Sequence, residues 1–305
     1  MVLVTAANGH VGRRIIPQLV KKGIEVKAAD ISPAAESLKE LGVKEVFIGD
    51  FSKRNVLIEA FKGCDQLLYI PPGGLYTEAK MAKQAIDVAA ERKVRQVVLM
   101  TVTHPNMSTL LQHRQKLEME EYLIYKGLSD NLSYTILQPM HYTHNFPVKQ
   151  VWDTNIYNCM YTVTTKLSYV DTRDVGEVCA KVLTEDGHQN ATYELVNADF
   201  LSPVDLVEIF NKVTGHHAVA NQMDVEKMLE MGPIKDSHFQ EAIRSLSDTY
   251  SKYGLADNPV RFLCVIQACE NDRQNNKKYK RVIEISCQTG ILLFSLIIWR
   301  RTLEV

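Results

Sequence analysis

The chain has 305 residues, of which 46% are hydrophobic and 23% charged, and its formal net charge is -1. This length accommodates one large domain or two ordinary ones, and the composition is that of a folded globular protein rather than a disordered or coiled-coil one. The balanced charge gives no electrostatic footprint for nucleic acid or an anionic membrane, so we expect neither as a direct partner.

Cysteine usage and hydropathy predict a soluble protein of the cytoplasm or nucleus. The six cysteines are scattered without a C-x-x-C pair, a spacing that fits neither a zinc site nor a disulfide framework. The N-terminus enters a short apolar run directly and lacks the features of a secretory signal. The longest apolar run, 291–299, is shorter than the roughly 20 helical residues needed to cross a bilayer.

Short β-rich runs alternate with longer amphipathic stretches from the N-terminus to residue 139. Strands are predicted at 2–5, 25–29, 45–48, 66–70, 96–100 and 133–137. Helices are predicted at 11–22, 33–41, 55–61, 77–92 and 110–126, the last ending at Gly127. This alternation is typical of βαβ units, and it predicts a Rossmann-type α/β fold with a doubly wound parallel sheet over residues 1–139.

Beyond Pro139 the rhythm changes to an aromatic-rich stretch with helices at 174–183 and 202–213 and a strand at 192–196. We expect 140–263 to form a smaller α+β region that contacts a substrate or partner. Residues 264–305 hold half of the cysteines and carry a charge of +3 (7 basic minus 4 acidic), against -4 for residues 1–263. This shift predicts a divergent, dispensable tail; the alternative is a helix that touches a partner or membrane.

A glycine-rich turn, T-A-A-N-G-H-V-G at 5–12, joins the first predicted strand to the first helix. Gly9 and Gly12 take the second and third glycine places of a G-x-x-G-x-x-G pattern, and Ala6 takes the first. In this context the backbone N–H groups at the helix N-terminus face a phosphate, and the missing side chains let a pyrophosphate approach. The alternative is a plain turn in which the glycines only permit packing.

Asp30 ends the second predicted strand, 18 residues after Gly12, where a dinucleotide-binding fold places an acid on the adenosine ribose. Because its charge repels a 2′-phosphate, the sequence favours NAD(H) over NADP(H). Arg13 and Arg14 lie near the turn and are the residues that could still bind the phosphate of NADP. The alternative for Asp30 is a loop or helix-capping carboxylate.

These segments resemble the NmrA-like group of atypical short-chain dehydrogenase/reductases, its fungal members in particular. The resemblance covers about residues 1–263 and depends on the order of several motifs. They are T-A-A-N-G-H-V-G at 5–12, G-D at 49–50, H-R-Q-K-L-E-M-E-E-Y-L at 113–123, Y-T-I-L-Q-P at 134–139, V-D-T-R-D-V at 170–175 and T-Y-E-L at 192–195.

The resemblance implies an NAD(P) cofactor and a set of residues around it. Gly9, His10, Val11 and Gly12 should line the pyrophosphate, Asp30 should bind the adenosine ribose, and Asp50 with Phe51 should contact the adenine. Pro71 at the end of strand four should run beneath the cofactor, and Thr101 at the end of strand five should face the nicotinamide.

The wider superfamily uses a tyrosine four residues before a lysine, with the tyrosine as general acid and the lysine on the nicotinamide ribose. Tyr122 and Lys126 have this spacing, but they lie at the end of their predicted helix, too close to the next strand. Lys116, which is followed four residues later by Glu120, matches the position of the family's lysine. The alternative for Lys116 is a solvated lysine paired with Glu120.

The position four residues before Lys116 is Gln112, so the tyrosine acid is missing. His113 lies beside it and can donate a proton only if its ring reaches the substrate. The residues predicted to serve the reaction are therefore Lys116, Thr101 and His113.

Tyr142 and Asn145 follow the sixth strand, where the family's substrate pocket begins, and they are predicted either to contact substrate or to pack. His141 and His144 lack the additional carboxylate of a metal-binding pattern, so no metal site is predicted. Asp174 is predicted to cap a helix N-terminus.

By resemblance, the sequence predicts an NAD(P)-binding oxidoreductase that acts on quinones or small carbonyl compounds. The alternative is a non-catalytic sensor that reports the NAD(P) redox state by binding a transcription factor. The missing tyrosine favours the sensor, whereas quinone reduction depends less on a positioned proton donor and supports the enzyme.

Overall fold

The computed structural model describes residues 1–73, 76–197, 200–232 and 235–255. The predicted tail, 264–305, lies outside the described residues. The chain divides into two compact units that interleave along the sequence. Unit 1 contains Met1–Tyr142, Val170–Leu195 and Ser237–Ala242, and unit 2 contains the described parts of 143–169, 196–236 and 243–255.

The strands are β1 Val2–Val4, β2 Val26–Asp30, β3 Glu45–Ile48, β4 Gln66–Tyr69, β5 Gln96–Met100, β6 Tyr134–Pro139, β7 His141–Tyr142, β8 Ile156–Cys159, β9 Leu167–Val170, β10 Ala191–Leu195, β11 Phe200–Leu201 and β12 Val219–Gln222. The α-helices are α1 Gly12–Lys21, α2 Arg54–Ala60, α3 Glu78–Glu91, α4 Leu111–Asp130, α5 Val148–Thr154, α6 Thr172–Thr184, α7 Pro203–Thr214, α8 Val225–Met231 and α9 Ser237–Tyr253. Short 3-10 helices lie at Pro33–Leu41 and Thr143–Asn145.

A parallel sheet with the order β10-β6-β5-β4-β1-β2-β3 forms the centre of unit 1. Its strands are apolar on both faces: Leu3 and Leu67 belong to one core cluster with α2, α3 and α4, while the alternating residues Val4 and Leu68 point the other way and are equally buried. Helices pack in pairs, α3 with α4 and α1 with α6. The predicted Rossmann-type, doubly wound fold is therefore confirmed.

The strand order reverses at β1, because β1 pairs with β2 on one side and with β4 on the other. In open α/β sheets, ligands bind outside the carboxyl ends of the strands at such a reversal. The glycine-rich turn that follows β1 lies at this point of the sheet.

Helix α4 continues past the predicted end at Gly127 to Asp130. A Cβ atom on Gly127 would lie 2.6 Å from Cε1 of Tyr134, so this glycine serves the close packing of α4 on β6 rather than ending the helix. The helix ends instead at Asn131, which adopts a left-handed backbone with φ 54°. The predicted C-terminal boundary of this helix was wrong for that reason.

The compact units also differ from the predicted boundary at residue 139. Residues 170–195 return to unit 1, because β10 adds to the sheet beside β6 and α6 packs against α1. Gly176 allows that helix contact, since a Cβ atom there would lie 2.9 Å from Cγ of Gln18. The smaller region is thus a discontinuous part of the chain rather than the single block 140–263.

Unit 2 combines short strands with helices, as the predicted α+β region does. Strand β8 pairs with β12 in parallel, and β11 pairs with β9 in antiparallel orientation. An aromatic cluster stabilises it: the Phe146 ring packs against Tyr157 and Phe210 at centroid distances of 4.8 and 6.1 Å. In the described part of the chain, no helix is long and apolar enough to cross a membrane.

Candidate functional site

The turn between β1 and α1 is shaped by close backbone contacts. Ala6 adopts a left-handed backbone with φ 45°, a conformation that costs a residue with a Cβ atom free energy. A Cβ atom on Gly12 would lie 2.5 Å from the Ala7 carbonyl oxygen and 2.6 Å from that of Ala6, so only glycine fits there. The alanine in the first glycine place therefore does not prevent the turn, and Gly12 brings the helix start close to it.

The N-terminus of α1 offers N–H groups to a ligand. Within the described residues, no hydrogen bond is recorded for the backbone N–H of Val11 or Gly12, and no side chain caps this end. Gly9 and His10 are exposed at the same turn. Unpaired N–H groups and the helix dipole together favour an anion, which is the role predicted for Gly9 to Gly12.

Asp30 is buried at the end of β2, with 9% of its surface exposed. Its Oδ2 accepts a hydrogen bond from the N–H of Asn8 at 2.9 Å, and its Oδ1 accepts one from the N–H of Ser32, also at 2.9 Å. The carboxylate therefore ties the glycine-rich turn to the loop after β2. These bonds match the loop role that was the alternative for Asp30, and the remaining lone pairs can still accept bonds from a ribose.

The end of β3 is held beside Asp30, because the N–H of Gly49 donates to the Asp30 carbonyl oxygen at 2.9 Å. Asp50 accepts bonds from the N–H and hydroxyl of Ser52 at 3.0 and 2.6 Å, and these bonds hold its pKa below the usual range. Phe51 packs against the core cluster, and the centroid of its ring lies 6.0 Å from that of Phe47. The predicted adenine residues thus lie next to the predicted ribose residue.

The carboxyl ends of β1 and β4 are joined through Thr5. Its hydroxyl donates to the Ile70 carbonyl oxygen and accepts from the Ile70 N–H, both at 2.9 Å. Pro71 follows at once, so it lies at the same edge of the sheet as the glycine-rich turn. Its place beneath a cofactor stays a prediction.

Thr101 follows β5, and its hydroxyl donates to Oε1 of Glu120 at 2.5 Å. Glu120 also accepts two bonds from Nε2 of Gln138, at 2.9 and 3.0 Å. Burial raises the pKa of Glu120, while the bonds from Thr101 and Gln138 oppose that shift. The Thr101 hydroxyl is thus directed into this buried group of α4 and β6 rather than left free for a substrate.

Lys116 forms an ion pair with Glu78, the first residue of α3. The exposed fractions of the two side chains are 12% and 4%, so the pair is almost withdrawn from water. Lys116 is therefore not the solvated partner of Glu120, and its charge is balanced by a carboxylate that the sequence did not indicate.

His113 is buried, and its Nδ1 lies 3.0 Å from the carbonyl oxygen of His104. His104 has a left-handed backbone with φ 53°. Burial lowers the pKa of His113, and Lys116 contributes in the same direction. Because its pKa is lowered, less of the ring is protonated at a given pH, and His113 is therefore poorly suited to supply a proton.

Tyr122 and Lys126 have the spacing of the superfamily's tyrosine and lysine but were not predicted to act as that pair. Both contact Asp87 of α3. The Tyr122 hydroxyl donates to Asp87 at 2.6 Å, and the Lys126 Nζ lies 3.0 Å from the same carboxylate. Burial raises the pKa of Tyr122, and Asp87 raises it further. This group holds α3 against α4 and does not supply an activated tyrosine.

A cavity of about 210 Å³ lies within unit 1, beside the first turns of α3 and α4. Its lining includes Tyr76, Glu78, Gln112 and His238. The rings of Tyr76 and His238 stack at 4.4 Å. Oε1 of Gln112 is buried without a hydrogen-bond partner among the described residues. The position of the missing tyrosine thus borders a cavity with an aromatic wall and an unsatisfied polar atom.

The two predicted substrate residues fall in different units. Tyr142 belongs to unit 1, where its hydroxyl lies 3.4 Å from the Met100 sulfur, and burial raises its pKa. Asn145 belongs to unit 2, in the 3-10 helix Thr143–Asn145. Their contact with a substrate stays a prediction.

The cap of α6 is Asp171 rather than Asp174. Asp171 accepts a bond from the N–H of Arg173 at 2.8 Å and forms an ion pair with its guanidinium. Asp174 lies in the first turn, where burial and then repulsion by Asp171 and Glu177 raise its pKa to about 7. Among the described residues, no group of three or more His, Cys, Asp or Glu is arranged to hold a metal ion.

The fold and the turn together define a Rossmann-type dinucleotide fold with its candidate site at the reversal of strand order. The model of the NmrA-like family matches residues 1–286, so the chain belongs to the NmrA-like family. This confirms the family that the sequence resembles. The match extends past Leu263, where the resemblance was expected to end, into the predicted tail.

Individual relatives are distant but cover most of the chain. Photosystem II assembly factor Ycf39 of Cyanophora paradoxa is 25% identical over 243 residues, or 73% of this chain and 72% of that protein. Quinone oxidoreductase 2 of Escherichia coli is 23% identical over 263 residues, or 84% of this chain and 85% of that protein. The structure of Citrobacter sp. triphenylmethane reductase complexed with NADP(H) is similar with a TM-score of 0.73 at 23% identity, covering 87% of this chain and 94% of that one.

Proposed function

We propose that this protein binds NAD(P) at the carboxyl edge of its sheet and is an NAD(P)H-dependent oxidoreductase. The observation that carries the proposal is the β1–α1 turn, where Gly12 leaves no room for a side chain and Val11 and Gly12 present N–H groups at a helix start. Such N–H groups favour a pyrophosphate by charge. Triphenylmethane reductase, of the same fold, is complexed with NADP(H).

In this proposal, three parts of the predicted site hold the dinucleotide. The turn from Gly9 to Gly12 binds the pyrophosphate, Asp30 orients the adenosine ribose, and Lys116 holds the nicotinamide ribose. When bound, the nicotinamide supplies a hydride. Thr101 would act as a positioning residue, because its hydroxyl is bonded to Glu120 on α4, the helix that also carries Lys116.

The groups near Lys116 favour acceptors whose reduction needs no positioned acid. Gln112 replaces the tyrosine and has no ionisable proton, Glu78 neutralises Lys116, and the pKa of His113 is lowered by burial. Quinones fit this pattern, because they take up a hydride readily and solvent can protonate the reduced product. The E. coli relative is a quinone oxidoreductase. The substrate class proposed is therefore quinones, with other small carbonyl compounds after them.

The test is oxidation of NADPH and NADH in the presence of a soluble benzoquinone, followed by the loss of nicotinamide absorbance. We expect turnover that saturates with quinone, and none with a simple aldehyde. A Tyr122→Phe variant is the matched control, because this tyrosine contacts Asp87 and should leave turnover unchanged. Turnover with aldehyde but not quinone, or its loss in this variant, would contradict the assignment.

A redox sensor is the second candidate, and the ion pair between Lys116 and Glu78 favours it. A lysine balanced by a buried carboxylate can hold a ribose but has no tyrosine to activate. A sensor binds the dinucleotide without quinone turnover, and its affinity for a transcription-factor partner changes between the oxidised and reduced cofactor. Calorimetry with all four dinucleotide forms, run beside the turnover assay, separates the two functions.

A further inference from the structure

The side chain of Arg13 crosses from the first turn of α1 to the 3-10 helix after β2. Its Nη1 donates to Oδ1 of Asn8 at 2.6 Å and to Oγ of Ser37 at 2.9 Å. Both contacts use one nitrogen of the guanidinium, which has five N–H donors in all. Both recorded acceptors, the Asn8 amide oxygen and the Ser37 hydroxyl, are neutral groups.

Asn8 connects this guanidinium to the predicted ribose residue. While the Asn8 side chain accepts from Arg13, its backbone N–H donates to Oδ2 of Asp30. Both Asp30 oxygens already receive a backbone N–H, which disperses part of the negative charge that would repel a 2′-phosphate. A cation and a partly satisfied carboxylate therefore both contact Asn8, and the carboxylate is the group predicted to bind the adenosine ribose.

Arg14 is the natural comparison, since the sequence left both arginines open as phosphate ligands. Its Nη1 donates back to the carbonyl oxygen of His10 at 2.8 Å, on the preceding turn of its own segment. It is exposed and is not recorded in contact with Asn8, Asp30 or Ser37 in the described residues. The two neighbouring arginines therefore differ in their contacts: Arg13 reaches Asn8 and Ser37, whereas Arg14 contacts His10.

We infer that Arg13 binds the 2′-phosphate of NADP(H) and sets how far this protein accepts NADP(H) beside NAD(H). The inference rests on the proposed dinucleotide site. A guanidinium matches a phosphate through paired charge-assisted hydrogen bonds, and Arg13 has nitrogens left to make them. Ser37 holds the side chain in place. Asp30 acts in the opposite direction, so the selectivity of the protein is the balance of these two residues.

Two small probes isolate the 2′-phosphate. Adenosine 2′,5′-bisphosphate and 5′-AMP differ only in that group, and their dissociation constants can be measured by calorimetry on the full chain. We expect Arg13→Ala to weaken the bisphosphate about 10- to 100-fold, the range of a lost charge-assisted bond, with less than about a twofold change for 5′-AMP. Arg14→Ala, the matched control, should leave both constants unchanged. Arg13→Lys should recover part of the loss.

Equal weakening of both probes by Arg13→Ala would mean that the residue only supports the turn, and the inference would be wrong. A bisphosphate-specific loss in Arg14→Ala instead would overturn the choice between the arginines. The proposed function fails differently: the unmodified protein would then bind neither NADPH nor NADH, whereas failure of this inference leaves that binding intact.

Discussion

The buried ion pair between Lys116 and Glu78 gives the sharpest test of how the candidate site is built. Replacing Glu78 by Gln leaves an ammonium that is 12% exposed without its partner, and replacing Lys116 by Met leaves a carboxylate that is 4% exposed. Breaking a buried pair from one side costs about 3 to 5 kcal/mol, because the remaining charge is neither paired nor solvated. At about 2 to 4 °C per kcal/mol, a loss of about 3 kcal/mol lowers the melting temperature by roughly 6 to 12 °C.

The same two helices supply a matched control. Lys83 of α3 and Glu118 of α4 form an ion pair at 3.3 Å, but their side chains are 37% and 42% exposed. An exposed pair of this kind contributes about 0 to 1 kcal/mol, so Lys83→Met should lower the melting temperature by no more than about 4 °C.

The assay is thermal unfolding of each single variant and of the double variant Glu78→Gln with Lys116→Met. We expect the double variant to lose much less stability than the sum of the two single losses, because it leaves no unpaired charge. Dinucleotide affinity is the second measurement: variants without Lys116 should bind weakly, whereas Glu78→Gln retains the ammonium. Additive losses of stability, or a Lys116→Met variant as stable as Lys83→Met, would refute the buried pair.

Three further predictions concern the turn, α6 and the rejected dyad. Gly12→Ala places a Cβ atom 2.5 Å from the Ala7 carbonyl oxygen. We therefore expect the free energy of unfolding to fall by about 1 to 3 kcal/mol in thermal unfolding, and dinucleotide binding to weaken. Gly9→Ala is the control and should lower stability less, because its Cβ atom would have a nearest contact of 3.2 Å. The pKa of Asp174 is raised to about 7 by burial and by neighbouring acids. The folded state therefore binds the proton more tightly, and stability should fall as pH rises from about 4 to about 7, a slope that Asp174→Asn should remove in melting curves across that range. Tyr122→Phe should cost about 0.5 to 1.5 kcal/mol in unfolding and leave calorimetric dinucleotide affinity unchanged.

The regular elements of the sheet could be predicted because their information is local. Strand β3 and the 3-10 helix Pro33–Leu41 have the predicted bounds, since apolar runs, the Ser32 cap and Gly42 mark them within a few residues. The end of α4 could not, because Gly127 is required by Tyr134 of the next strand and not by the helix itself. A glycine that ends a helix and a glycine that allows close packing look the same in the sequence, and only the tertiary contacts distinguish the two roles.

In the candidate site, too, the residues marked by local motifs could be predicted, and those fixed by tertiary contacts could not. The turn at Gly9 to Gly12 and the position of Asp30 follow from motif and spacing, and the sheet brings them together as expected. The partner of Lys116 does not follow, because Glu78 lies 38 positions earlier on another helix. A lone glutamate at the start of a predicted helix is usually explained by the helix dipole, so nothing in the sequence distinguishes it from other first-turn acids.

The adenosine and nicotinamide ends of the proposed site therefore depend on different kinds of contact. At the adenosine end, Asp30 and Arg13 both contact Asn8, one through its backbone N–H and the other through its side chain, so the proposed selectivity depends on a single turn. At the nicotinamide end, Lys116 is neutralised across two helices by Glu78. Changes at the first end should alter which dinucleotide binds. Changes at the second should alter both how tightly a dinucleotide binds, through Lys116, and whether it reacts, because an ionisable acid is missing there.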